Sequence, residues 1–249
     1  IVASALVLLM TPGLAFFYGG MVNKKNVIST MLQSFIALGI ISLIWVLFGF
    51  SLAFGDSVNG WGIIGNPLQH LCLDNLDSKN SNIPYLLFAL FQLKFAIITP
   101  AIITGSFAER IRFRSYLLFM ILFCVFIYSP IAHTTWSPEG IFANFGDVIG
   151  IKGYEGLHVL DFAGGTVVHM SAGLAALAGA LYLGKRKVEN TDPANIPFII
   201  LGTGLLWFGW FGFNAGSALA ANYDAVVAFA NTNIASASSM ITWVLFDRF

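Results

Sequence analysis

Apolar runs of bilayer-crossing length follow one another along nearly the whole of this 249-residue chain. Seven are legible, at 1–22, 27–54, 83–107, 116–136, 160–183, 196–221 and 225–246. A helix needs about 20 apolar residues to cross the hydrocarbon of a bilayer. Lipid offers no partner to a free peptide group, so a run of this kind must satisfy its own backbone by becoming a helix. The pattern therefore predicts an all-α, polytopic transmembrane helix bundle.

The charges between the runs give the same answer. Lys24 and Lys25 follow the first run, Arg110, Arg112 and Arg114 the third, Lys185, Arg186 and Lys187 the fifth, and Arg248 the seventh. The intervening loops hold only Lys79 and Lys152, and carry Asp56, Asp74, Asp77, Glu139, Asp147, Glu155 and Asp224 instead. Basic loops stay on the cytoplasmic side. The expected topology has the N-terminus outside and the basic loops inside, in a multi-pass protein of the cell (plasma or inner) membrane.

Composition excludes several alternatives. Charged residues are 10% of the chain and hydrophobic residues 57%, where a soluble domain carries roughly a quarter charged. With a net charge of +0 and no basic stripe, nucleic acid is not an expected partner. Cys72 and Cys124 sit in an outer loop and an apolar run, which gives neither a disulfide framework nor a metal cluster. No metal or cofactor is expected. Ile1 opens directly into an apolar run, so the sequence reads as clipped at its start.

Small residues recur every fourth position, as Ala172, Ala176 and Ala180 in the fifth run and Gly212, Gly216 and Ala220 in the sixth. Such faces let helix backbones approach closely in a bilayer. The reading is tight packing within a bundle.

Polar groups inside a span are costly and mark candidate sites. In the segment DFAGGTVVHMSAG, Asp161 stands where a carboxylate caps a helix start. His169 follows eight residues later, roughly 12 Å deeper, and is expected to be neutral and hydrogen-bonded. A bond to a neighbouring helix is the plain alternative. In WFGFNAGS, Trp210, Phe213 and Ser217 share one helix face at i, i+3 and i+7, fit for a small hydrogen-bond donor or for core packing. In FQLKFA, Phe91 and Phe95 lie one turn apart, where two rings close a pore or fill a core. Trp136 ends the fourth run, either as a member of the interfacial aromatic belt or as a ring face for a small cation.

PGLAFFYGG in the first run, FAERIRF after the third, DFAGGTVVHMSAG and WFGFNAGS stand in the order of a known family. The chain resembles, from residue 1 to 249, the ammonium transporters called Amt in bacteria and plants and Mep in fungi, with the Rh proteins as distant relatives. The resemblance implies the ammonium transporter fold and one such domain over 1–249. It implies transmembrane transport of ammonium or ammonia, with methylammonium as analogue. Trp136 and Ser217 resemble the external recruitment site, Phe91 a further aromatic beside it, and Asp161 the buried acid below it. Phe95 and Phe213 are similar to the paired phenyl rings of a gate, and His169 to the first of two pore histidines. Tyr18 and Trp210 resemble pore-lining neighbours. A homotrimer with one pore per subunit and a PII-type regulator on the cytoplasmic face are also implied.

Two features depart from the family pattern. The family has about eleven spans in two inverted halves, with the second histidine in the second half. The chain is thus expected to be incomplete, holding about seven spans and lacking the helices that close the pore. Lys94 adjoins Phe95, where the family carries a small or uncharged residue. A lysine there must snorkel, pair with an acid or lose its charge.

Other classes fit less well. An ammonium sensor with a cytoplasmic signalling domain would use the same fold and is the principal alternative. A water or glycerol channel would need paired Asn-Pro-Ala half-helices, and no Asn-Pro-Ala occurs. An enzyme is not expected, because no nucleophile–base pair, phosphate loop or metal cluster is visible.

Overall fold

In a computed structural model, residues 1–76, 82–186 and 192–247 are described. Asp77, Lys79, Lys187 and Arg248, which enter the charge pattern above, lie outside the described residues. The described chain is helical, with an isolated antiparallel bridge between Ser57 and Gly65. Six helices are long and apolar enough to cross a membrane: α1 (Val2–Met21), α2 (Lys24–Phe54), α3 (Tyr85–Phe107), α4 (Phe113–Trp136), α5 (Gly165–Leu183) and α6 (Ile196–Gly216). The seventh expected span is also a helix, α7 (Tyr223–Phe246). Asn231, Thr232, Asn233, Ser236, Ser238 and Ser239 make it less apolar than the other six.

Local chemistry sets the boundaries. Asn195 caps α6 by accepting from the Phe198 N–H at 3.1 Å, with Pro197 in the first turn. Asn222 caps α7 through the Ala225 N–H at 3.0 Å. α6 ends at Gly216 rather than at 221, and Leu219 turns to φ 52° just beyond. α2 and α4 each contain one wide π-turn, Trp45–Gly49 and Cys124–Tyr128, and the Trp45 and Tyr128 rings meet at 6.2 Å.

α3 is the most buried span and packs on α1, α2 and α5. The aromatic core lies beside it: Trp45 donates its indole N–H to the Ala89 carbonyl at 3.0 Å, and Phe50 meets Tyr85, and Phe54 meets Phe88, edge to face. α1 and α6 form the most extensive helix pair. Their seam is glycine against glycine: a Cβ on Gly202 would meet the Gly13 carbonyl oxygen at 2.6 Å, and one on Gly209 the Leu6 carbonyl oxygen at 2.7 Å. Gly212 and Gly216 press on Leu6 and Ala3 in the same way, as the small-residue spacing predicts. Ala172 of α5 is buried, and Ala176 packs at the edge of the core. α5 and α6 leave most of their surface open, and α7 touches α6 while remaining largely exposed.

The loops sort to two ends. At one, Glu139 accepts from the Ser57 N–H and the Ile141 N–H bonds the Gly62 carbonyl. At the other, Glu109 accepts from the Asn23 N–H (2.8 Å), the Asn26 amide (2.9 Å) and Arg186 (3.0 Å). Arg110 reaches the Gly184 and Ser106 carbonyls. The basic loops therefore share one face, and some of their charge ties them to each other.

Candidate functional site: a cavity above an aromatic column

A cavity of about 310 Å³ opens at the acidic end between α3, α4, the segment before α5, and the end of α6. Phe91, Phe95, Trp136, Asp161 and Ser217 line it together. These five residues come from four separate parts of the chain.

Each is held by a specific contact. Trp136 donates its indole N–H to the Asp161 backbone carbonyl at 3.0 Å, which fixes the ring plane. The Asp161 carboxylate accepts from the Gly164 N–H at 2.6 Å and from the Thr166 and Val167 N–H groups, each at 2.9 Å. With both oxygens committed, Asp161 is a helix cap rather than an open anionic ligand. Gly164 permits this cap by adopting φ 101°. Ser217 caps the end of α6 and donates its hydroxyl to the Phe213 carbonyl at 2.8 Å.

Below the cavity the rings form a column. Phe95 meets Phe91 at 4.9 Å, Trp136 at 6.1 Å and nearly perpendicular, and Phe213 at 4.2 Å with 31° between planes. Phe95 and Phe213 are each 1% exposed; Phe95 lines the cavity and Phe213 packs behind it. Beneath it, His169 stacks on Trp210 at 5.7 Å and 11°, and lies 6.0 Å from the Phe213 ring.

Some bounds and contacts differ from the sequence reading. The fifth span begins at Gly165 rather than 160, because the Asp161 carboxylate draws residues 161–164 into the cap. His169 thus lies only about 6 Å along the helix from its start. It lies on the open face of α5 and stacks on Trp210, and among the described residues no hydrogen bond to its imidazole is found where one was expected. Tyr18 is not among the column residues. It donates to the Ile102 carbonyl at 2.7 Å and lines a separate cavity of about 420 Å³ with Asn23, Glu109 and Arg186, at the basic end. Lys94 is half-buried, and no acid stands within ion-pair distance of it among the described residues.

Sequence reading passed over Gln92, which lines the cavity and is buried. The signal was present: an amide within an apolar span, between the two ring positions of FQLKFA. Among the described residues no group of three His, Cys, Asp or Glu side chains could hold a metal ion.

Comparison with known proteins places this geometry. A protein described as an ammonium transporter in Mycobacterium tuberculosis is 46% identical over 269 residues, covering 100% of this chain and 55% of its own length. The crystal structure of Candida albicans Mep2 superposes with a TM-score of 0.85 at 36% identity, covering 99% of this chain and 53% of that one. A structure described as a sensor Amt protein matches with a TM-score of 0.85 at 32% identity, over 98% and 60%. The chain spans about half the length of the curated relatives it matches. The family model for the Ammonium Transporter Family matches residues 1–249, and the chain is a multi-pass membrane protein belonging to that family.

Proposed function

We propose that the protein transports ammonium nitrogen by recruiting the cation in the outer cavity, removing its proton, and passing neutral ammonia along a dry, histidine-containing corridor. The observation that carries this reading is the continuous column Trp136, Phe95, Phe213, His169. An aromatic cavity stands above a closed ring pair, and an imidazole stands directly beneath it.

The physics of each layer supports the sequence of steps. A ring face attracts a small cation by about 0.5–2 kcal/mol per favourable contact, and Trp136 and Phe91 supply such faces. Ser217 supplies an oxygen acceptor. Asp161 acts through its field and through the helix start it holds. Below Phe95 and Phe213 a bare charge would cost several kcal/mol to carry, whereas ammonia loses only hydrogen bonds, which an imidazole partly restores. Potassium shares the attraction of the ring faces, but it donates no hydrogen bond and has no proton to lose, so it stays charged at the ring pair. Trp210 orients His169 by stacking.

The charge pattern supports an N-terminus outside and the basic loops in the cytoplasm, in a cell membrane. By kinship with the transporters, we include in the proposal a homotrimer and a PII-type regulator on the cytoplasmic face. A second reading is an ammonium sensor on the same scaffold, favoured by the likeness to the sensor Amt protein. Methylammonium uptake by proteoliposomes separates the two: transport requires it, and a pure sensor lacks it.

The deciding experiment is His169→Ala in the intact protein, reconstituted in proteoliposomes. The variant is expected to lose proton-coupled ammonium uptake or its selectivity over potassium. Full and selective uptake without the imidazole would end this mechanism.

A further inference from the structure

We propose that Gln92 is a second directed acceptor for the cation in the outer cavity, and that it sets the preference for ammonium over N-methylated analogues. This rests on the recruitment reading above.

Gln92 is 8% exposed and lines the cavity. Its Oε1 is buried and has no hydrogen-bond partner among the described residues. Leaving a buried acceptor unmet is unfavourable, and the side chain lines the cavity, so a flip of its amide turns the oxygen toward that space. Gln92 stands one turn from Phe88 and Phe95 on α3, so its amide shares their face. Rotation about the last side-chain bond exchanges oxygen and nitrogen within the same volume.

The other groups of the cavity explain why an amide matters. Trp136, Phe91 and Phe95 offer ring faces, which attract positive charge without counting N–H bonds. Asp161 has both oxygens committed. Ser217 has its proton on the Phe213 carbonyl and offers one acceptor oxygen from α6. Gln92 adds a neutral acceptor from α3. Ammonium has four N–H donors and meets both acceptors while presenting others to the rings. Methylammonium has three donors, and its methyl group takes one of the four tetrahedral directions, so fewer of its orientations meet both acceptors.

The test uses the intact protein in proteoliposomes, with half-saturation concentrations measured for ammonium and for methylammonium. Gln92→Met keeps the side-chain length and removes the strong acceptor. It is expected to raise the ammonium value about tenfold, the scale of a hydrogen bond to a charged group, and the methylammonium value less than about threefold. Gln92→Leu carries the same prediction should the methionine variant fail to fold. Equal shifts for both substrates overturn the proposal, since they mark a packing role. No shift in either, with Ser217→Ala still weakening ammonium, also overturns it and leaves the recruitment reading standing. Absence of any effect from Gln92→Met, Ser217→Ala and Trp136→Leu together removes the recruitment reading itself.

Discussion

Ser217 gives its hydroxyl proton to the carbonyl oxygen of Phe213, 2.8 Å away and one helical turn earlier. The hydroxyl therefore faces the outer cavity as an acceptor. A residue expected inside a helix stands instead at its C-terminal cap, where the turn ends and the cavity begins.

Replacing that acceptor should weaken recruitment. Ser217→Ala is expected to raise the half-saturation concentration for ammonium about tenfold, as a lost hydrogen bond to a charged donor implies. Ser217→Thr keeps the oxygen and should stay within about threefold, the range of ordinary context effects. Uptake assays over a concentration series check both.

Asp161→Ala removes the acceptor of three backbone N–H groups. Loss of a helix cap costs about 0.5–2 kcal/mol, and the residues that hold Trp136 loosen with it. A lower melting temperature in detergent together with reduced uptake is expected. Unchanged stability would show that the cap is dispensable.

The seam between α1 and α6 makes a sharp contrast of two nearby glycines. A methyl on Gly202 meets backbone, the Gly13 oxygen at 2.6 Å and the Phe17 Cα at 2.8 Å, which cannot swing aside. Gly202→Ala should destabilise by about 1–3 kcal/mol through overpacking. A methyl on Gly204 meets nothing within 4 Å, so Gly204→Ala should be neutral or stabilising by up to about 1 kcal/mol. Thermal melts of the two variants decide the matter.

Glu109 gives the basic end a pH dependence. Burial pushes its carboxyl up, but hydrogen bonds from Asn26 and Asn23 and the charge and hydrogen bond of Arg186 outweigh this and leave it below the ordinary 4.5. A depressed carboxylate contributes stability that is fully present above the unfolded value and is lost as pH falls through the folded one. Amide protection at 23–26 and 184–186 should thus be constant near neutrality and drop below about pH 4.5. In Glu109→Gln the acid-dependent step should vanish. The effect is small, because the ion pair with Arg186 is at the surface.

What the sequence determined by itself was set by local, repeating physics. Apolar runs against a bilayer fixed the class and the order of the long helices. The alternation of basic and acidic loops sorted the ends, and the small-residue spacing announced the tight seam at Gly212 and Gly216. The i, i+3, i+7 spacing put Trp210, Phe213 and Ser217 on one face, because residues three, four and seven apart are neighbours on any α-helix.

Tertiary structure decided what depends on contacts between distant segments or on competition for backbone partners. Whether Asp161 served as ligand or cap depended on which N–H groups reached it, and three from its own turn did. That winding moved the start of α5, and His169 stacks on Trp210. Tyr18 sits at the basic end because it lies in the last turn of α1, and its hydroxyl bonds the Ile102 carbonyl there. Gln92 became noticeable only when α3, α4 and α6 enclosed one cavity lined by a side chain whose acceptor has no partner among the described residues. An amide in an apolar run signals cost, and only the packed neighbours reveal what meets it.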